Sequence, residues 1–148
     1  MRNVSSTGYD LSPLTEEEHA NLVEQLSPEE RRVLLHQGTE HPFCGALLGN
    51  KEAGVYHCRL CGLPLFESGS KFESGTGWPS FNAPFDPQHI REVSDISHGM
   101  VRTEIRCHRC NGHLGHVFPD GPPPTGRRYC LNSVSLYFVA DKAGPSKN

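Results

Sequence analysis

Two Cys-x-x-Cys pairs constrain the fold of this 148-residue chain more than any other feature. The four thiols come from two short segments: Cys58 and Cys61, Cys107 and Cys110. Gly62 follows the first pair and Asn111 the second, and both residues permit a tight turn. In such a knuckle, two thiolates hold one side of a tetrahedral metal ion. Because the pairs are far apart in sequence, a shared ion would tie two distant hairpins of one domain together.

Zinc is the metal that this pattern predicts. Four cysteines fill the coordination shell of zinc and leave no position for a water molecule, which indicates a structural ion. Iron is the main competitor, since a four-cysteine site also suits iron. A redox dithiol is a weaker alternative, because a thioredoxin-type Cys-x-x-Cys occurs once and begins a helix, whereas this chain has a matched pair among strands and turns.

The composition favours strands over long helices. Hydrophobic residues make up 35% of the chain, and 15 glycines and 12 prolines indicate many turns. After Tyr56 helical periodicity is absent, and short apolar runs alternate with turn clusters. These runs are 54–58, 100–105 and 132–140. The expected fold is mainly β, with two short helices at the N-terminal end.

Two capping boxes locate those helices. Thr15 precedes Glu18 by three residues, and Ser27 precedes Glu30 in the same way, with a proline at the first position of the second helix. Gly38 is the expected end of that helix. We therefore predict a flexible segment over residues 1–13, one domain over 14–142 and a flexible tail over 143–148.

Charge and hydropathy narrow the functional classes. With 14 basic and 17 acidic side chains the net charge is −3, and no run of lysines or arginines stands out, which disfavours binding to nucleic acid or to an anionic membrane. No apolar stretch approaches the length of a membrane span, and the N-terminal residues lack the apolar segment of a secretory signal. The expected location is the cytoplasm, where cysteines stay reduced.

Cys130 is the candidate reactive thiol. Residues 128–139 have the pattern of one strand, in which alternation puts Arg128, Cys130 and Asn132 on the same face. The guanidinium favours the thiolate, and the amide can hold a polar substrate group. An inert strand cysteine is the alternative, since many free cysteines are small buried hydrophobic residues.

Several other residues are candidates for the same site. Cys44 is the remaining thiol and lies in a loop flanked by a proline and a glycine, with the mobility that a second redox cysteine needs; a packed loop residue is the alternative. His113, His116 and Asp120 lie in a glycine-rich segment and can supply an acid, a base or an orienting group. Trp78 is the only tryptophan and is flanked by glycine and proline, so its ring can line a pocket, although most single tryptophans belong to a core.

Together these motifs resemble the peptide-methionine (R)-S-oxide reductases, the MsrB family. The resemblance extends from about Thr15 to Asp141 and combines the two cysteine pairs with three segments in the family's order. The segments are Ser-Gly-Thr-Gly-Trp-Pro-Ser-Phe, Gly-His-Leu-Gly-His-Val-Phe-Pro-Asp-Gly and Arg-Tyr-Cys-Leu-Asn-Ser. It implies a fold of two antiparallel sheets, a structural zinc away from the chemistry, and reduction of the R epimer of methionine sulfoxide in proteins and peptides.

The resemblance also implies residue roles. Cys130 attacks the sulfoxide sulfur and becomes a sulfenic acid. His113 is the expected acid and His116 its orienting partner, with Asp120 nearby. Trp78 receives the substrate methyl group. Phe81 and Phe118 are expected to complete the substrate site, while Arg128 supports the thiolate and Asn132 shapes the site.

One departure from the family pattern concerns the second redox cysteine. Many members carry it in the loop before the tryptophan, at the position that Thr76 holds here. The remaining candidate is Cys44, and the hypothesis is a Cys44–Cys130 disulfide that thioredoxin reduces.

Two other classes of protein stay open at this point. A zinc-knuckle adaptor would bind protein or RNA without catalysis, although the acidic net charge disfavours RNA. A cysteine hydrolase would use Cys130 with one of the histidines. The arginine before Cys130 and the spare thiol suit redox turnover better than acyl transfer.

Overall fold

The computed structural model describes residues 4–36, 47–96, 101–123 and 125–140. Within them the chain forms two helices followed by nine strands. The helices are α1 (Glu16–Glu24) and α2 (Pro28–His36). The strands are β1 (Gly54–Cys58), β2 (Pro64–Glu67), β3 (Lys71–Phe72), β4 (Ser80–Phe81), β5 (Ile90–Asp95), β6 (Arg102–Cys107), β7 (His113–Phe118), β8 (Arg128–Leu131) and β9 (Leu136–Ala140). The predicted mainly β class with N-terminal helices is confirmed.

Both predicted capping boxes are present. The Thr15 hydroxyl accepts a hydrogen bond from the backbone of Glu18, and the Glu18 carboxylate accepts one from the backbone of Thr15. Ser27 and Glu30 make the same reciprocal pair. Each box satisfies two backbone donors that the first turn of a helix would otherwise leave unpaired. Gly38, the predicted end of α2, lies outside the described residues.

The strands form two antiparallel sheets. The smaller sheet has the order β2-β1-β9, and the larger has the order β3-β4-β8-β7-β6-β5. The core between them contains the fully buried aromatic rings of Tyr56, Phe66 and Phe81, with the last two stacked at 4.7 Å between ring centroids. Burying one such side chain contributes about 1.5–3 kcal/mol to folding. Among the described residues, no helix is long and apolar enough to cross a membrane.

The predicted single strand over 128–139 is wrong, since it is two strands in different sheets. β8 ends at Leu131, a 3₁₀ turn covers Ser133–Ser135, and β9 begins at Leu136. Two backbone bonds stabilise the turn: the N–H of Ser135 donates within it to Asn132, and the N–H of Asn132 donates to Leu114 of β7. The alternation of apolar residues continues through this turn, so the sequence pattern does not reveal that the chain passes from one sheet to the other.

Part of the segment predicted to be flexible packs against the body of the domain. The hydroxyls of Ser6 and Thr7 donate to the buried carboxylate of Asp86, at 3.0 and 2.8 Å. Ser5 contacts the fully buried ring of His89, and only 2% of Leu11 is exposed. These contacts give residues 5–11 a defined position. The tail predicted over 143–148 lies outside the described residues.

Candidate active site

A β-bulge in β7 brings the two histidines of the glycine-rich segment to the same face of the larger sheet. Ile105 of β6 pairs with Gly115, but the next residue, Arg106, pairs with His113, so Leu114 is the extra residue. Without the bulge, residues 113 and 116 would point to opposite faces. The two imidazole rings instead lie 5.7 Å apart, edge to face.

Gly115 allows β7 and β8 to approach closely beside the reactive thiol. A Cβ at this position would collide with the carbonyl oxygen of Cys130. The neighbouring residue His116 pairs directly with Cys130 across the two strands. The glycine therefore permits the pairing that sets an imidazole opposite the thiol.

A pocket of about 300 Å³ opens at this point of the sheet. Cys130 and His116 line it from β8 and β7, and Trp78 closes it from the loop before β4. The other lining residues are Thr76, Arg102, Gly115, Phe118, Arg128, Leu131 and Asn132. The pocket thus combines one partly buried thiol, two aromatic rings and several polar groups, as small-molecule sites usually do.

Burial disfavours the thiolate form of Cys130. Burial raises its pKa above the ordinary value, because a thiolate is poorly solvated there. The hydroxyl of Thr76, 3.7 Å from the sulfur, and the charge of Arg128 act in the opposite direction and offset the effect only in part. Arg128 thus lowers the pKa of Cys130, as its predicted role requires, but burial has the larger effect.

Arg128 is held by two neighbours. Its guanidinium donates to both carboxylate oxygens of Asp120, at 2.9 and 3.1 Å, and lies over the ring of Phe118 at 4.4 Å. Hydrogen bonding from Arg128 lowers the pKa of Asp120. Asp120 is therefore an ionised anchor for the arginine, and it is absent from the residues that line the pocket.

Each histidine is paired with a carboxylate that the sequence analysis did not identify. Nδ1 of His113 lies 2.8 Å from the buried carboxylate of Glu104, and Nε2 of His116 lies 2.8 Å from Asp95. Burial lowers the pKa of His113. Glu104 and Asp95 come from β6 and β5, and only the strand register brings them to β7, so no local pattern indicated them.

The remaining predicted residues fall in three places. Asn132 is buried and lines the pocket, with its side-chain N–H donating to the Leu114 carbonyl at 3.2 Å. Phe81 is fully buried in the core and is not among the residues that line the pocket. Cys44 lies outside the described residues.

The four paired cysteines form one cluster. All four sulfur atoms lie within 4.8 Å of one another, and two of the separations are 3.5 Å (Cys58 to Cys110) and 3.4 Å (Cys61 to Cys107). The turn residues have the left-handed backbone that the knuckles need, with φ of 83° at Gly62 and 64° at Asn111. Cys58 ends β1 and Cys107 ends β6, so the cluster joins the two sheets.

The geometry of the cluster fits a tetrahedral metal ion. Zinc–sulfur bonds of about 2.3 Å imply sulfur–sulfur distances of about 3.8 Å, close to those observed. In the protein alone, hydrogen bonding to Cys107 raises the pKa of Cys58 well above its ordinary value, and burial adds to this. A metal ion bound by the cluster would deprotonate the thiols that coordinate it, and its positive charge would stabilise the four thiolates. The prediction of a metal site is supported by this arrangement.

Comparison with known proteins identifies the family. The SelR domain family matches residues 26–140 of the chain. The peptide methionine sulfoxide reductase MsrB of Caulobacter vibrioides is 64% identical over 141 residues, which cover 95% of this chain and 87% of the relative.

The chain belongs to the MsrB family of peptide methionine sulfoxide reductases. The MsrB protein of Xylella fastidiosa supports this assignment, with 62% identity over 88% of this chain and 84% of the relative. The MsrB protein of Thiobacillus denitrificans is 60% identical over 77% of the chain and 86% of the relative. The family resemblance inferred from the sequence motifs is confirmed, and the match covers both the pocket and the cysteine cluster of an MsrB domain.

Proposed function

We propose that this chain reduces the R epimer of methionine sulfoxide in peptides and proteins, with Cys130 as the nucleophile. One observation carries the proposal: Cys130 and Trp78 line the same pocket in a chain 64% identical to a peptide methionine sulfoxide reductase. The same observation favours an enzyme over a zinc-knuckle adaptor, because an adaptor has no need of a thiol in a pocket. Hydrolysis is disfavoured by the family to which the relatives belong.

The reaction transfers one oxygen atom. The Cys130 thiolate attacks the sulfoxide sulfur and forms a sulfur–sulfur bond. This bond and the sulfur–oxygen bond of the substrate then break as the oxygen is transferred to the sulfur of Cys130, which becomes a sulfenic acid. The substrate sulfur gains two electrons and becomes a thioether, and the cysteine sulfur loses two. Because burial raises the pKa of Cys130, the proton of its thiol must leave before or during the attack. The departing oxygen needs a proton. One acid–base group can therefore take the proton from the thiol and deliver it to the oxygen.

His116 is the group that we assign to this proton transfer. It lines the pocket and pairs with Cys130, whereas His113, the acid inferred from the sequence, is absent from the pocket lining and binds Glu104. Burial also lowers the pKa of His113, which leaves it neutral and a poor proton donor near pH 7. We assign His113 the supporting role of a neighbour that packs against His116.

The aromatic walls suit the apolar part of the substrate. Trp78 and Phe118 line the pocket beside Cys130, and methyl groups bound to sulfur pack well on aromatic faces. Asn132 forms part of the polar wall. Two walls alone do not distinguish the epimers, because a stereocentre is recognised only by three fixed positions. The aromatic wall for the methyl group, the polar wall for the oxygen and the side from which Cys130 attacks the sulfur together supply three.

The direct test compares the two epimers with dithiothreitol as reductant. We expect methionine to form from a peptide containing the R sulfoxide, while the S sulfoxide stays unchanged over the same time. Equal rates for both epimers would contradict the stereochemical part of the proposal. No methionine from either epimer would contradict the activity itself.

For recycling, we propose that Cys44 attacks the sulfenic acid of Cys130. The attack forms a disulfide and releases water, and a dithiol protein such as thioredoxin then reduces the disulfide. The support is chemical: Cys58, Cys61, Cys107 and Cys110 are occupied by their cluster, and Thr76 supplies no thiol beside Cys130.

Cys44→Ser separates this recycling step from the chemical step. We expect the variant to release one methionine per chain at the wild-type rate, because the pocket is intact. Turnover supported by thioredoxin should fall at least tenfold, since no intramolecular disulfide forms. The measurement is methionine released in single-turnover and steady-state assays, and full steady-state turnover with thioredoxin would show that Cys44 is not required.

We propose that the metal is zinc in a purely structural role. Four thiolates complete a tetrahedral shell, so no coordination position is left for a substrate or water. The cluster joins the ends of β1 and β6 and contributes no residue to the pocket lining.

A further inference from the structure

A carboxylate on the outer strand of the larger sheet reaches the proposed acid–base histidine. Asp95 is the last residue of β5, and His116 lies two strands away on β7. The Asp95 carboxylate nevertheless lies 2.8 Å from Nε2 of His116. Both side chains are largely buried, with 18% and 15% of their surfaces exposed, so water competes little with this contact.

Glu104, the carboxylate directly opposite His116 in the strand register, binds other side chains. Glu104 pairs with His116 across β6 and β7, but its oxygens accept a two-point bond from Arg106 at 2.9 and 3.1 Å. One of those oxygens also contacts His113 at 2.8 Å. Two separate carboxylate–histidine pairs therefore lie side by side, and only the Asp95 pair includes a residue of the pocket wall.

Arg102 fixes the Asp95 carboxylate in turn. Its guanidinium donates to Asp95 Oδ2 at 3.2 Å, the same oxygen that contacts His116. Arg102 also pairs with Asp95 in the strand register and lines the pocket. The neighbouring positive charge favours the ionised carboxylate, which can only accept hydrogen bonds. His116 must then donate through Nε2.

We infer that Asp95 is a positioning residue that fixes the orientation and tautomer of His116, so that Nδ1 is the nitrogen that exchanges a proton in the pocket. This inference rests on the proposed function. With Nε2–H committed to Asp95, a neutral His116 carries its lone pair on Nδ1, and a charged His116 carries a transferable proton there. Within the described part of the chain, no hydrogen bond is formed by Nδ1 of His116.

Asp95→Asn tests the inference, because the amide keeps the size of the side chain and removes its charge. An asparagine can present an N–H to Nε2 and so permits the other tautomer. We expect the single-turnover rate of methionine formation to fall about 10- to 100-fold, part of the 10²–10⁴-fold that a positioned acid contributes. The KM for the R sulfoxide should change less than threefold, since Asp95 is not among the pocket-lining residues. Asp95→Glu should recover part of the rate.

Glu92→Gln is the matched control. Glu92 lies on the same strand and loses the same charge, but its carboxylate pairs with Arg127 at 2.6 Å. We expect this variant to react within twofold of wild type. If wild type reduces the R sulfoxide and Asp95→Asn does so within twofold of it, the inference is overturned while the proposed function stands. If wild type itself produces no methionine, the proposed function is what fails.

A spectroscopic test reads the tautomer of His116 directly in the wild-type protein. In ¹⁵N-labelled wild-type protein at a pH where His116 is neutral, its ring should give the signals of the Nε2–H tautomer. The signals are assigned by their loss in His116→Gln. An Nδ1–H tautomer, or a mixture of the two, would overturn the inference whatever the variants do.

Discussion

Replacing Cys130 by serine is expected to abolish the reduction of methionine sulfoxide. The serine hydroxyl fits the same position, but it is a far weaker acid than a thiol and cannot accept the substrate oxygen as a sulfenic acid. We expect the rate of methionine formation to fall by a factor of about 10⁴ or more, as in enzymes that lose their nucleophile. The measurement is methionine released per chain from the R sulfoxide in excess dithiothreitol.

The Cys130→Ser result needs a demonstration that the variant is folded. Cys130 belongs to the pocket wall and lies opposite His116 in the antiparallel register of β7 and β8, which serine preserves. We therefore expect the thermal midpoint of unfolding to stay within about 3 °C of wild type. A folded variant that keeps more than 1% of the wild-type rate would show that another group attacks the substrate.

Disruption of the four-cysteine cluster is expected to have the largest effect on stability. Cys107 is fully buried at the end of β6, and its sulfur lies 3.4 Å from that of Cys61 in the segment after β1. Cys107→Ser should release the metal, and the link that the cluster forms between the two sheets is then lost. A metal present at about 1,000 times its dissociation constant contributes about 4 kcal/mol to the free energy of unfolding. For a chain of this size the loss corresponds to a fall of about 8–16 °C in the midpoint.

Two measurements check the cluster prediction. Elemental analysis should find one zinc per wild-type chain and less than one tenth of that in Cys107→Ser. Thermal unfolding followed by circular dichroism should give the lowered midpoint, with Cys130→Ser as the matched control that loses a thiol outside the cluster. A wild-type protein without metal, or a Cys107→Ser variant with an unchanged midpoint, would contradict the structural role that we propose for zinc.

The features that the sequence predicted well are those encoded by neighbouring residues. A Cys-x-x-Cys followed by glycine or asparagine forms a knuckle within one turn, and both knuckles appear as expected. The capping boxes at Thr15 and Ser27 also depend on residues three positions apart. Trp78 joins the pocket because the turn around it is encoded by its own flanking glycine and proline.

The features that the sequence could not predict depend on the pairing of distant strands. Nothing near Leu114 indicates that it is the extra residue of a bulge, yet this bulge decides which histidines share a face. Asp95 and Glu104 are ordinary strand carboxylates until the register brings them to His116 and His113. The proposed substrate role of Phe81 illustrates the same limit, because a motif residue next to the site can face the core.

The most direct test of the central claim is to count thiols by mass spectrometry after one equivalent of methionine sulfoxide is added to the reduced protein. The R and S epimers are tested separately, and the modified cysteines are mapped by peptide. We expect the R epimer alone to oxidise Cys130, with two thiols lost as a disulfide between Cys130 and Cys44. Full retention of the Cys130 thiol with both epimers, while the protein is folded and reduced, would contradict the role of Cys130 as the nucleophile.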